Sequence, residues 1–76
     1  PVLIVRRFNA TLFLGIPLTT KIKKEDYRFN FTLEGVENDA LILQIRTFDS
    51  RRLVRRLRTM EKPLFENLLE QIRKLI

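Results

Sequence analysis

Residues 38–58, NDALILQIRTFDSRRLVRRLR, begin apolar and end in a cluster of arginines. Residues 40–43 carry no polar side chain, the signature of a strand covered by protein on both faces. From Gln44 onward polar and apolar residues alternate. At the strand period of two, Gln44 and Arg46 share one face, and Ile45 and Thr47 share the other. One strand over residues 38–47 is therefore expected. Beyond it the pattern fits either a helical stripe (Leu53, Val54, Leu57, Met60) or a strand face (Arg51, Leu53, Arg55, Leu57). A short helical turn at residues 50–53 and then a strand to about residue 59 is the reading adopted.

The flanking sequence supplies partners for this strand. Residues 2–5 form a continuous apolar run of strand length, and residues 11–18, TLFLGIPL, read as a second strand. Pro17 has no N–H for a ladder, so this strand should end there or lie at an edge. Residues 27–34, YRFNFTLE, alternate, with Tyr27, Phe29, Phe31 and Leu33 inward and Arg28, Asn30, Thr32 and Glu34 outward. A turn over residues 35–38 then leads antiparallel into the quoted stretch. At the end of the chain Leu64, Phe65, Leu68, Leu69, Ile72, Leu75 and Ile76 recur at helical spacing. Pro63 suits the first turn of that helix, and Arg73 and Lys74 suit the end favoured by its dipole. Short, mostly antiparallel strands followed by one amphipathic helix imply a mainly β fold with a C-terminal helix. A small, partly open barrel capped by that helix buries these faces best, as a single domain over residues 1–76.

Composition narrows the chemistry. The chain has 76 residues, no Cys and no His, which excludes disulfides, a thiolate nucleophile, an imidazole base and a zinc site built on Cys or His. No cofactor and no metal are expected. Carboxylates, Tyr27, lysines and hydroxyls remain for proton transfer, and arginines for stabilising developing negative charge. The formal charge is +6, and six arginines (46, 51, 52, 55, 56, 58) against Asp49 place +5 of it in residues 46–58. A localised field of that kind suits RNA, DNA or an acidic protein partner, while its plain structural reading is a solvated face. The opening PVLIV is too short for a secretory core and precedes its arginines, and no apolar run reaches membrane-spanning length. A cytoplasmic protein with no membrane partner is expected.

PVLIV at residues 1–5, IPLTTKIK at residues 16–23, QIRTFDSRRL at residues 44–53 and the terminal helix, in this order and at these spacings, resemble the MazF/PemK (Kid-like) toxins of bacterial toxin–antitoxin systems. QIRT-x-D followed by basic residues is the most specific part, and the similarity spans nearly the whole chain. The resemblance implies an SH3-like barrel that dimerises and cleaves single-stranded RNA without a metal. It also implies silencing by a cognate antitoxin that wraps the dimer. Thr19 matches the family's strand-end Thr that contacts the scissile phosphate. Thr20, Lys21, Gln44, Arg46, Arg51, Arg52, Arg55 and Arg56 are the candidate nucleic-acid contacts. This sequence departs from the family in three places. The Arg that precedes the Pro equivalent to Pro1 is absent, as are the family's opening strand and the loop after it. Leu43 stands where many relatives carry an acidic residue.

Cleavage by attack of a 2′-hydroxyl on the adjacent phosphate needs extra negative charge stabilised, one proton accepted and another donated. Arginine forks and hydroxyls can perform the electrostatic part. The alternative is a non-catalytic module of the same fold that binds nucleic acid or antitoxin. At single residues, plain structural readings also stand open. Thr19 can simply end a strand, Arg46 can pair with Asp49 across a turn, Gln44 can satisfy backbone groups, and Asp49 can cap the turn that follows. An unpaired sheet edge and a helix face of Leu64, Leu68 and Ile72 too large for one small sheet imply a homodimer or larger assembly.

Overall fold

The computed structural model describes residues 1–53 and 56–76. Among these residues the strands are β1 (Val2–Arg7), β2 (Leu12–Thr19), β3 (Arg28–Leu33), β4 (Val36–Leu41), β5 (Arg46–Asp49) and β6 (Leu57–Arg58), followed by the helix α1 (Lys62–Lys74). The sheet runs β3-β4-β2-β1-β6, with β5 added on β2, and it does not close. The mainly β architecture with a C-terminal helix is thus as the periodicities imply.

β2 is the central strand. Along one edge it pairs with β1; along the other, Leu12 to Gly15 pair with β5, and Leu18 and Thr19 pair with β4. Pro17 sits inside the sheet, and β2 continues through it to Thr19, contrary to the expected stop. The Leu18 N–H donates to the Pro1 carbonyl at 3.0 Å, so by alternation the nitrogen of Pro17 faces the opposite edge. There β5 has ended its pairing at Gly15 and β4 begins at Leu18, so no ladder bond is lost.

The same partner switch divides the expected strand over residues 38–47. β4 stops at Leu41, Ile42–Gln44 form a 3₁₀ turn closed by Ile45 N–H to the Ile42 carbonyl at 3.2 Å, and β5 starts at Arg46. Ile42 is buried but Leu43 is 68% exposed, so residues 40–43 are not covered on both faces. The turn carries the chain from one half of β2 to the other. Two further boundaries shift. The hairpin after β3 turns on Glu34 and Gly35 rather than residues 35–38, with Leu33 opposite Val36 and φ of 51° and 79° at the two turn residues. Positive φ at both is what a two-residue turn matching strand twist requires. Tyr27 precedes β3 and is exposed, whereas Arg28, expected in solvent, is 15% exposed at its side chain and ion-paired with Asp39.

Both faces of the central strands are buried. Leu3, Ile16, Leu18, Phe31, Ala40, Ile42 and Leu68 form one core, against which Phe29, Leu33, Leu64, Phe65 and Ile72 pack. Val2, Phe13 and Phe48 form a second, covered by Ile4, Leu53 and Leu57. Successive side chains of a strand point to opposite faces, so Val2 and Leu3 serve different cores, and a continuous apolar run results. The helix face of Leu64, Leu68 and Ile72 is taken up by the chain's own sheet, with Leu68 fully buried. Leu64 and Ile72 on that face are partly buried. Asp49 caps the turn after β5, accepting from the Arg51 N–H at 2.9 Å. Of the strand expected to about residue 59, the described residues hold the two-residue β6, parallel to β1, and its expected start at residues 54 and 55 lies outside the described residues.

Gly15 is a position of close approach. A Cβ there would stand 2.7 Å from Val2 Cγ1, 2.9 Å from Phe48 Cδ2 and 3.0 Å from Phe13 Cε2. Those side chains make up the second core, where the two rings stack at 5.6 Å between centroids and leave little room to move. Gly15→Ala is expected to lower unfolding free energy by about 1 to 3 kcal/mol, read by urea denaturation.

Candidate functional site

Because the sheet does not close, a groove lies between the end of β2, the β3–β4 hairpin and β6. It has a volume of about 220 Å3; Thr20, Glu34, Asn38, Arg56 and Arg58 line it with polar atoms, and Pro1, Leu18, Leu33 and Val36 line the remainder. Backbone bonds at the start of β1 hold its two sides in register: the Pro1 carbonyl accepts from Leu18 at 3.0 Å, and the Val2 N–H donates to the Arg56 carbonyl at 2.9 Å. Across the opening, Arg58 Nη2 donates to Glu34 Oε2 at 2.6 Å. The hydrogen bond and charge of Arg58, with a smaller contribution from Arg56, hold the Glu34 carboxyl below its ordinary pKa.

Thr19 ends β2 opposite Asp39, and its hydroxyl accepts from the Lys21 N–H at 3.1 Å. The connection from there to β3 is fastened at several points. Asp39, with no exposed surface, accepts from the Lys23 N–H at 2.9 Å, Asn30 Nδ2 at 3.0 Å and Arg28 Nη1 at 3.2 Å. Arg28 Nη1 also donates to the Lys21 carbonyl at 2.9 Å, its Nε lies 3.2 Å from Glu25, and Gln71 of α1 donates to the Asp26 carbonyl at 2.6 Å. Burial pushes the Asp39 pKa up, but these donors outweigh it, and the carboxyl titrates below its ordinary value. The strap from Thr19 to Arg28 is thereby held against β4 and α1, with Thr20 and Lys21 exposed at the groove end.

The candidate residues fall into separate places. Thr20 and Arg56 line the groove, and Thr19 adjoins it in sequence. Gln44 and Arg46 do not project together from one strand. Gln44 lies in the 3₁₀ turn, beside a shallow cleft of about 120 Å3 shared with Tyr27, Arg28, Leu41 and Leu43. Arg46 is in β5, its guanidinium 4.7 Å from the centroid of the Phe48 ring. Asp49 is engaged by Arg51, through Nε at 3.0 Å and Nη2 at 2.7 Å, and not by Arg46, the alternative left open from sequence. Arg52 is exposed in the same turn, and Arg55 lies outside the described residues. Two polar residues of the groove, Glu34 and Asn38, were not singled out from sequence, and Arg58 was named only as part of the basic stretch. The Glu34–Gly35 turn was the available signal, because it folds a carboxylate back toward whatever strand borders the hairpin. Among the described residues no group of three or more carboxylates could hold a metal ion, and no helix is long and apolar enough to cross a membrane.

Two aspartates make stability depend on pH. Asp49 is lowered from 3.8 to about 2, chiefly by its hydrogen bonds from Arg51, and Asp39 is lowered as well. A carboxyl whose folded pKa lies below its unfolded value stabilises the fold above the unfolded value and loses that contribution as pH falls through the folded one. Unfolding free energy should therefore decline as pH drops from about 4 toward 2. Asp39→Ala should cost about 2 to 3 kcal/mol at neutral pH, through donors left without their acceptor, and should flatten that decline in urea titrations at stepped pH.

The sequence profile of the PemK-like, MazF-like toxins of type II toxin–antitoxin systems matches residues 1–76. Comparison with curated proteins and with solved structures gave no match.

Proposed function

This chain belongs to the PemK-like, MazF-like toxins of type II toxin–antitoxin systems, a membership that implies an antitoxin partner, and from that premise we propose that it is an endoribonuclease acting on single-stranded RNA at the groove between β2, the β3–β4 hairpin and β6. The observation that carries the reading is the convergence of Arg56, Arg58 and Thr20 on an open groove next to Thr19, from segments far apart in the chain. Guanidinium forks match phosphoryl oxygens, and a phosphodiester lying along the groove would meet two of them. In the reaction the 2′-oxygen forms a bond to phosphorus while the bond from phosphorus to the 5′-oxygen breaks. A 2′,3′-cyclic phosphate and a 5′-hydroxyl result, with one proton leaving the attacking hydroxyl and one reaching the leaving oxygen. The arginines stabilise the charge that builds on the phosphoryl oxygens, and Thr19 contributes a hydroxyl at the same end of β2.

One observation favours the second reading, a binding module without cleavage. Glu34, the one carboxylate lining the groove among the described residues, is paired with Arg58 and held below its ordinary pKa, which makes it a poor proton acceptor. Binding and chemistry separate in one experiment. Affinity for a short single-stranded RNA should fall with salt at a slope of about 0.7 per phosphate contact, and Arg56→Ala should weaken binding and reduce that slope. Thr19→Val should spare binding and abolish product formation. RNA affinity indifferent to salt would remove the ribonuclease reading, while tight binding with no cleavage by the parent chain would establish the module.

A dimer belongs to the same proposal. β3 is an end strand of the sheet path, and its outer backbone edge has no strand partner among the described residues, a surface that proteins ordinarily cover. Sedimentation at about 10 to 50 μM, chosen to span ordinary oligomer affinities, should show a dimer or larger; a monomer throughout would sink this part of the proposal.

A further inference from the structure

Arg58 is held in the groove by a carboxylate of the same chain, and the pair is asymmetric. The Arg58 side chain is 13% exposed, part of the groove wall, while the Glu34 side chain is 70% exposed at a hairpin tip. At the tip, no heavy atom other than those of Gly35 and its two chain neighbours lies within 4 Å of where a Cβ on Gly35 would stand. Glu34 itself adopts φ 51°, a left-handed conformation in which Gly, Asn or Asp is less strained, so a longer acidic side chain is carried there at a conformational cost. Arg56 also lines this groove, placing two guanidinium groups near one exposed carboxylate, with Thr20 and Asn38 adjacent. A phosphodiester bears the same single negative charge as that carboxylate and presents a similar pair of oxygens to an arginine fork.

We propose that Glu34 is an internal occupant of a phosphate subsite formed by Arg58 and Arg56, and that a backbone phosphate of single-stranded RNA must displace it to bind. The inference rests on the ribonuclease reading above and adds a regulatory element to it. Before binding, Glu34 keeps the Arg58 guanidinium oriented across the sheet opening. On binding, Arg58 transfers its hydrogen bond from Glu34 Oε2 to a phosphoryl oxygen, and Glu34 swings into water, as its exposure permits. Exposed ion pairs are weak, so the competition lowers RNA affinity by a modest factor, about two- to fivefold.

The test uses the full chain and a short single-stranded RNA with 2′-O-methyl groups, which block the attacking hydroxyl so that binding is read without cleavage. Glu34→Gln and Glu34→Asn, the second retaining a residue suited to positive φ, should each bind about two- to fivefold more tightly than the parent at one fixed salt concentration. Glu66→Gln, which removes an exposed charge on α1 outside the groove, should change affinity by less than about twofold, because remote exposed charges are screened. Thermal melts of each variant confirm that folding is retained. If both Glu34 variants bind no more tightly than Glu66→Gln does, the internal-occupant proposal is overturned while the ribonuclease reading stands. If the parent binds this RNA with no dependence on salt, the ribonuclease reading fails and the proposal falls with it.

Discussion

One strand with three partners organises this molecule. β2 gives one edge to β1 and divides the other between β5 and β4, so its eight residues connect every part of the sheet. Pro17 falls at the division, where the missing donor costs no ladder bond. The turn at Ile42–Gln44 exists because the chain must travel from one half of that edge to the other. The groove exists because the path that begins at β3 and ends at β6 does not bring those strands together. A strand with partners on both edges and cores on both faces leaves little freedom for the elements around it.

The arginines that dominate the composition do not form one uniform patch. Arg28 is paired with Asp39 and Glu25, Arg51 with Asp49, Arg58 with Glu34 and Arg73 with Glu70. These pairs differ physically. Asp39 has no exposed surface and every donor around it is satisfied, so the pair with Arg28 holds the strap after Thr19 in place. Arg51 is 71% exposed and its bond to Asp49 serves mainly to fix a turn. The Arg58–Glu34 pair lies between these cases, with a confined cation and an exposed anion, and it is there that positive charge meets an accessible groove.

Much of the fold is legible in the chain. The apolar run at residues 2–5, the alternation of Phe29, Phe31 and Leu33, and the helical spacing of Leu64, Leu68 and Ile72 each match a structural face, because the side-chain period of an element is a local property. Residues 38–47 misled for an equally physical reason. A 3₁₀ turn without Gly or Pro has no local marker, and Leu43 is exposed although it sits in an apolar run. Arg28 and Tyr27 exchanged their expected environments because a buried aspartate on the neighbouring strand drew the guanidinium inward.

The candidate site was legible in part, since Thr20 and Arg56 could be named from the chain while Glu34, Asn38 and Arg58 could not be placed beside them. The sequence by itself determined the balance of strands and helix, the absence of thiol and imidazole chemistry, and the concentration of arginine after the QIRT segment. Tertiary structure alone decided which of those arginines share a groove and which carboxylate they meet. Arg58 and Glu34 are 24 residues apart in the chain, and they touch because one strand pairs in parallel with β1 while a two-residue turn folds a hairpin back toward it. Strand pairing is a long-range choice among edges, and no local periodicity encodes it.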